Sequence, residues 1–152
     1  MIRLKSVLVA VDFSEPSEQA LGYGRALAKN FGARLLVLHV ADVVTAGIGA
    51  GGGMFDKAQE GAEAAAKTRI YTLLTAEDRR ALRANVTVLS SISPAESIVR
   101  HARDIAADVI VMGTHGRGGM AHVLMGSVAE AVVRTAPCPV LTVRHPEPEA
   151  AS

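Results

Sequence analysis

Between Gly113 and Ser127 the chain reads GTHGRGGMAHVLMGS, five glycines in fifteen residues, directly after the apolar run ADVIVM. Glycine costs roughly 0.5–1 kcal/mol relative to alanine in regular structure, so such clustering has a local cause. Either the chain turns sharply there, or its backbone must lie close against a ligand. The stretch ends on Ser127-Val128-Ala129-Glu130, which has the form of a capping box and predicts a helix beginning at Ser127. The first amides of a helix lack internal partners and carry partial positive charge, so an anion is welcome there. Gly126 keeps a side chain out of the approach. Gly113 and Gly116 predict a second amide-rich turn one loop earlier, and the two turns could bracket a phosphate chain, with Arg117 adding a charge-assisted contact. A strand-to-helix turn alone would not need small residues at 113, 116 and 126 and a hydroxyl at 127.

Other chemistries find less to work with. No GxxxxGK[ST] occurs, and no GxGxxG follows the first apolar run, which argues against a P-loop and against an ordinary dinucleotide site. The histidines 39, 101, 115, 122 and 145 form no pair at helical or strand-like ligand spacing. Cys138 stands between two prolines and reads as a small apolar filler rather than a nucleophile. Neither a Ser-His-Asp order nor paired carboxylates stand out. For phosphoryl chemistry the available bases are Asp12 and His115, neither dedicated to activating water.

The elements that must position these residues are legible in the hydrophobic pattern. Five runs, 6–12, 34–40, 85–90, 108–113 and 139–144, are continuous in Val, Ile and Leu rather than alternating, as in strands covered on both faces. Ser14-Glu15-Pro16 and Ser93-Pro94-Ala95-Glu96 carry helix start signals, and Gly32 ends the first helix. Residues 57–83, rich in Ala, Glu, Lys and Arg, predict one long helix, and 43–55, with five glycines, predicts a loop. The alternation of strand and helix predicts an α/β domain with a mostly parallel sheet and helices on both faces. Ligands of such sheets bind beyond the carboxyl ends of the strands, where strand order reverses. That brings Val11 and Asp12, His39 and Val40, and the stretch from Gly113 toward one place.

Composition narrows the partners. A net charge of +1 provides no field to draw the chain to nucleic acid or an anionic membrane, and aromatics at 3% leave no stacking platform for single-stranded bases. The first apolar run stops at Asp12, too short for the roughly 7–15 apolar residues of a signal peptide. The expectation is a cytoplasmic protein with no membrane association.

Gly113, Gly116, Gly126 and Ser127 have the spacing of glycine, two residues, glycine, nine residues, glycine and Ser or Thr. With VLVAVDFSEPSEQAL (7–21) and APCPVLTVR (136–144), this resembles the nucleotide-binding members of the universal stress protein family. The resemblance implies a single open five-stranded parallel sheet, Rossmann-like, of strand order 3-2-1-4-5, over residues 1–146, with 147–152 a disordered tail. It implies ATP with Mg2+: Asp12 on the ribose or a phosphate, in part through the metal, and Val40 on the adenine. Gly113, Gly116, Gly126 and Ser127 would cradle the phosphates, with Val11, Met112, Arg117 and Val128 among the contacts. Many members carry Ser or Thr two places after the motif serine, where this chain has Ala129. The family also implies a homodimer through the last strand, 139–144. The functions in view are a nucleotide-responsive module in stress physiology, a slow ATPase or autophosphorylating enzyme, and a nucleotide-independent, chaperone-like interaction protein.

Overall fold

A computed structural model describes residues 1–43, 52–115 and 125–144, the side chains of 52–55 excepted. Five parallel strands form one sheet: β1 (Ser6–Ala10), β2 (Arg34–Ala41), β3 (Asn85–Ser90), β4 (Val109–Gly113) and β5 (Val140–Val143). Their order is β3-β2-β1-β4-β5, as the resemblance implied, and all four pairings are parallel. Every residue of β1 and all but the last of β4 are buried, which is why those runs read as unbroken apolar stretches.

The helices are α1 (Glu15–Phe31), α2 (Gly52–Leu73), α3 (Ala76–Ala81), α4 (Pro94–Asp104) and α5 (Ser127–Thr135). Side chains alternate across each strand and so divide the core in two. Val7, Val9, Val37, Val86, Val109 and Val111 meet Ala20, Leu21 and Ala28 of α1 and Ile70 of α2. On the other face Leu8, Ala10, Leu38, Ile110 and Met112 meet Ile98, Val99 and Ala102 of α4 and Ala129 and Val132 of α5. On α1, Gly24 lets the helix lie directly on β1: a Cβ there would stand 2.3 Å from Val9 Cγ2, well inside contact distance.

Two helix boundaries differ from the sequence expectation. The segment 57–83 is two helices, because Thr75 and Asp78 form a reciprocal capping box that starts α3 afresh. At its other end α2 extends back through Gly52, so the expected loop 43–55 ends earlier; each residue added to an existing helix gains a hydrogen bond that offsets glycine's cost. The rest of that loop (44–51), and the expected tail 147–152, lie outside the described residues.

Asp78 also fastens α3 to α1. Arg25 Nε and Nη2 donate to its two carboxylate oxygens, each at 2.8 Å, and Nη2 donates to the Leu73 carbonyl at 3.3 Å. Asp78 is 2% exposed. Burial pushes its carboxyl pKa up, but the hydrogen bonds from Arg25 and Thr75 and the charge of Arg25 outweigh this and hold it below the ordinary value.

Candidate functional site

The carboxyl ends of β1, β2 and β4 adjoin one another at the point where strand order reverses, and the sequence-predicted residues divide there by face. Val11 is buried in the core beneath α1 and α2. Val40, Met112 and Val128 contribute to the opposite core, beneath α4 and α5, together with Ala10 and Ala129. Ala129, the departure from the resembled pattern, is 2% exposed and part of that packing.

Asp12 sits where β1 gives way to α1, in a small network of hydroxyls. Its Oδ1 accepts from the Ser14 amide at 3.0 Å and from the Ser14 hydroxyl. Its amide donates to Ser17 Oγ at 3.2 Å, and Ser17 Oγ donates to the Ser14 carbonyl at 3.0 Å. Ser14 is the N-cap of α1, accepting from the Ser17 amide. Among the described residues only Oδ1 is engaged, which leaves Oδ2 to accept from a ribose hydroxyl or to meet a cation. Between Asp12 and Ser14, Phe13 is left-handed at φ 66°, an unusual conformation for a bulky residue.

Gly113 has a packing reason as well as the ligand-facing one expected from the sequence. A Cβ at this position would be 2.8 Å from Pro16 Cβ and 3.2 Å from the Ser17 amide nitrogen. The glycine therefore lets the start of α1 close onto the end of β4. Thr114, which the motif passes over, is 3% exposed and ties the site together. Its amide donates to the Val143 carbonyl at 2.8 Å, and its carbonyl accepts from the Gly126 amide at 2.6 Å. The end of β4 and the start of α5 are thus in direct contact, which brings the first and last glycines of the spacing motif to one place. Gly116 and Arg117, between these anchors, lie outside the described residues.

The helix starts at Ser127, as the sequence predicts, but its cap is the residue before. Gly126 is the N-cap of α5 and Ser127 its first helical residue, and no side chain caps the helix among the described residues. The expected capping box does not form, because with Gly126 as the cap Ser127 is already helical and Glu130 lies one place beyond the position the box needs; its carboxylate pairs instead with Arg134 at 2.6 Å. Ser127 is exposed. Among the described residues the outcome is an amide terminus with an exposed hydroxyl, and the first-turn carboxylate, Glu130, is paired with Arg134, which suits an external anion better than a capped helix would.

Behind Asp12, on the α1–α2 face, stands a group that sequence reasoning missed. His39 Nδ1 is 2.6 Å from the Val11 carbonyl, its ring centroid is 4.6 Å from that of Phe13, and the Arg69 guanidinium lies 4.2 Å from the Phe13 ring centroid. His39 had been noted as the neighbour of Val40; Arg69, in a helix rich in Ala, Glu and Lys, carried no signal. Cys138 is half-buried against the α4–α5 core, where burial, assisted by the charge of Asp108, raises its thiol pKa despite a backbone hydrogen bond involving Ile110. That suits a filler rather than a nucleophile.

Residues 3–144 match the model of the universal stress protein family. A universal stress protein of Thermus aquaticus is 37% identical over 142 residues, covering 92% of this chain and 98% of that protein. Among solved structures, universal stress protein UspA from Lactobacillus plantarum has a TM-score of 0.75 at 26% identity, over 95% of this chain and 100% of that one. A universal stress protein from Archaeoglobus fulgidus in complex with dAMP has a TM-score of 0.55 at 24% identity, over 94% of this chain and 99% of that one, a likeness of fold. Among the described residues no helix is long and apolar enough to cross a membrane.

Proposed function

This chain belongs to the universal stress protein family, and from that premise we propose that it is a nucleotide-responsive module that binds ATP with Mg2+ in the cytoplasm. The observation that carries the reading is the junction of β4 and α5. The Thr114 carbonyl holds the Gly126 amide beside an α5 terminus that no side chain caps, with the Ser127 hydroxyl exposed. An uncapped helix start is suited to phosphate oxygens, and the spacing of Gly113, Gly116, Gly126 and Ser127 is that of a phosphate cradle. Arg117 adds a charge-assisted contact. Val40 meets the adenine, flanked by Met112 and Val128, and Val11 contributes through its backbone. Asp12 receives the ribose, or a phosphate through the metal, on its open Oδ2. The metal's part is to neutralise phosphate charge; the chain's part is to supply amides, one carboxylate and one hydroxyl around it.

Isothermal titration of purified protein with ATP and Mg2+ tests this. Wild-type protein is expected to bind, and Gly126→Val to lose at least tenfold in affinity with only a small drop in melting temperature, since Gly126 is half-exposed and in extended conformation (φ −70°, ψ 163°) that valine adopts without strain, valine being only the poorer N-cap. Wild-type affinity in Gly126→Val sinks the cradle assignment.

The module is further proposed to act as a homodimer through β5. This is an edge strand with Leu141 38% exposed, and such edges are normally covered. Leu141→Lys is expected to move the protein from dimer to monomer in analytical ultracentrifugation. A wild-type monomer, or a variant that stays dimeric, overturns the β5 interface.

A further inference from the structure

We propose that His39, Phe13 and Arg69 are positioning residues that brace the adenosine half of the nucleotide cleft from behind, an inference that rests on the nucleotide reading above. The brace lies across the sheet from the cleft. On β2, His39 belongs to the α1–α2 face and its successor Val40 to the α4–α5 face, where the adenine is assigned. A carbonyl can only accept, so His39 Nδ1 carries the proton and donates to Val11 at 2.6 Å. That one bond ties the residue before Val40 to the residue before Asp12. Together with the bond from the Val11 amide to the Leu38 carbonyl, at 2.8 Å, it sets the separation of the two groups assigned to base and ribose.

Phe13 is the second part. At φ 66° it bears a conformation that a bulky residue rarely adopts and that persists only where its surroundings impose it. Its ring is held between His39 and the Arg69 guanidinium, at 4.6 and 4.2 Å between centres. Arg69 is exposed, so its charge over the ring is not demanded by any buried partner. The turn that Phe13 makes is the one that lets Asp12 Oδ1 accept from the Ser14 amide, which orients the carboxylate. Among the described residues, the contacts of His39 and Arg69 are with Val11 and Phe13, and not with Gly113, Gly126 or Ser127. With Asp12 on the ribose, their influence therefore falls on the adenosine end.

That gives a signature a purely structural role does not produce. Arg69→Met keeps the aliphatic stem and removes the cation; His39→Leu removes the donor. Each is expected to weaken AMP, ADP and ATP binding by the same factor, about tenfold, measured by titration calorimetry. Arg69→Lys and His39→Asn, which restore a cation and a donor, are expected to recover most of the loss. Amide hydrogen exchange at Ser14 and Ser17 is expected to quicken in Arg69→Met, with the amides of β1 unchanged. Unaltered affinities beside a lowered melting temperature, a penalty that grows with phosphate number, or no rescue overturns the brace. Should wild-type protein bind no adenine nucleotide, the nucleotide reading fails, and the exchange measurement decides alone whether Arg69 holds the Asp12 turn.

Discussion

Asp78→Ala is expected to lower the unfolding free energy by about 2–4 kcal/mol, read as a large drop in the urea midpoint, because it removes a buried carboxylate that both a charged hydrogen-bond partner, Arg25, and the cap of α3 depend on. Arg25 reaches Asp78 with two donors at 2.8 Å each, and Asp78 is almost wholly inaccessible. The same carboxylate accepts from the Thr75 amide at 2.9 Å to complete the box that starts α3, so the variant also loses a helix cap. Three chain segments separate together: α1 through Arg25, the end of α2 through the Leu73 carbonyl, and α3 itself. The pair also has a pH signature. The folded pKa of Asp78 lies below its ordinary value, so the native state favours the ionised form. Its contribution is complete above the ordinary carboxylate range and is lost as pH falls through that range toward the lowered folded value. Asp78→Asn, which cannot ionise, is expected to flatten the acid limb of the stability profile. An Asp78→Ala protein of wild-type urea midpoint would show the clamp to be inert.

Gly113→Val is expected to damage fold and site together. Its Cβ would fall 2.8 Å from a proline ring atom and 3.2 Å from backbone of the first turn of α1, neither able to swing aside as a flexible side chain could. Overpacking of this kind costs typically about 1–3 kcal/mol, and valine's second methyl puts this variant at the upper end. Relief comes from moving α1 outward, which displaces Ser17 and with it the hydrogen bond to the Asp12 amide. Nucleotide affinity is then expected to fall at least tenfold alongside the melting temperature, in contrast to Gly126→Val, where affinity falls with only a small drop in melting temperature. A Gly113→Val protein with unchanged thermal stability would sink the packing argument. The two glycines look equivalent in the motif and differ in the fold: one faces a neighbouring helix, the other begins its own.

The strands were legible because both faces of each are covered, so β-branched residues run unbroken through SVLVA and VIVMG. Ser14 and Gly32 likewise marked the ends of α1 through local chemistry alone. What escaped the sequence depends on a residue's competing options. Thr75 was submerged in a stretch whose composition suits a helix throughout, and its power to restart one lies in a hydroxyl and a carboxylate three residues apart. Ser127 and Glu130 had the right spacing for a box, but Gly126 takes the cap position, which leaves Ser127 helical and Glu130 to pair with Arg134. Ser93 carried the letters of a cap and makes no side-chain cap bond; its φ of −128° and ψ of 82° fall outside the extended geometry adopted by Ser14 and Thr75. At the candidate site, Asp12 and the glycines announced themselves by type and spacing. Thr114 and Arg69 could not, since one acts through its main chain and the other across the tertiary fold.

The bond between the Thr114 carbonyl and the Gly126 amide has an evolutionary corollary. It draws the two ends of the intervening segment together at its base, much as a hairpin stem does for its turn. A homologue could then lengthen, shorten or rewrite residues 115–125 while keeping the same junction. Loop-closure entropy grows slowly, by only about 0.6 kcal/mol for each doubling of length. Exchange of this one segment between homologues is therefore expected to leave the sheet and its melting temperature unaltered, because the junction that closes it belongs to the sheet and α5 rather than to the segment.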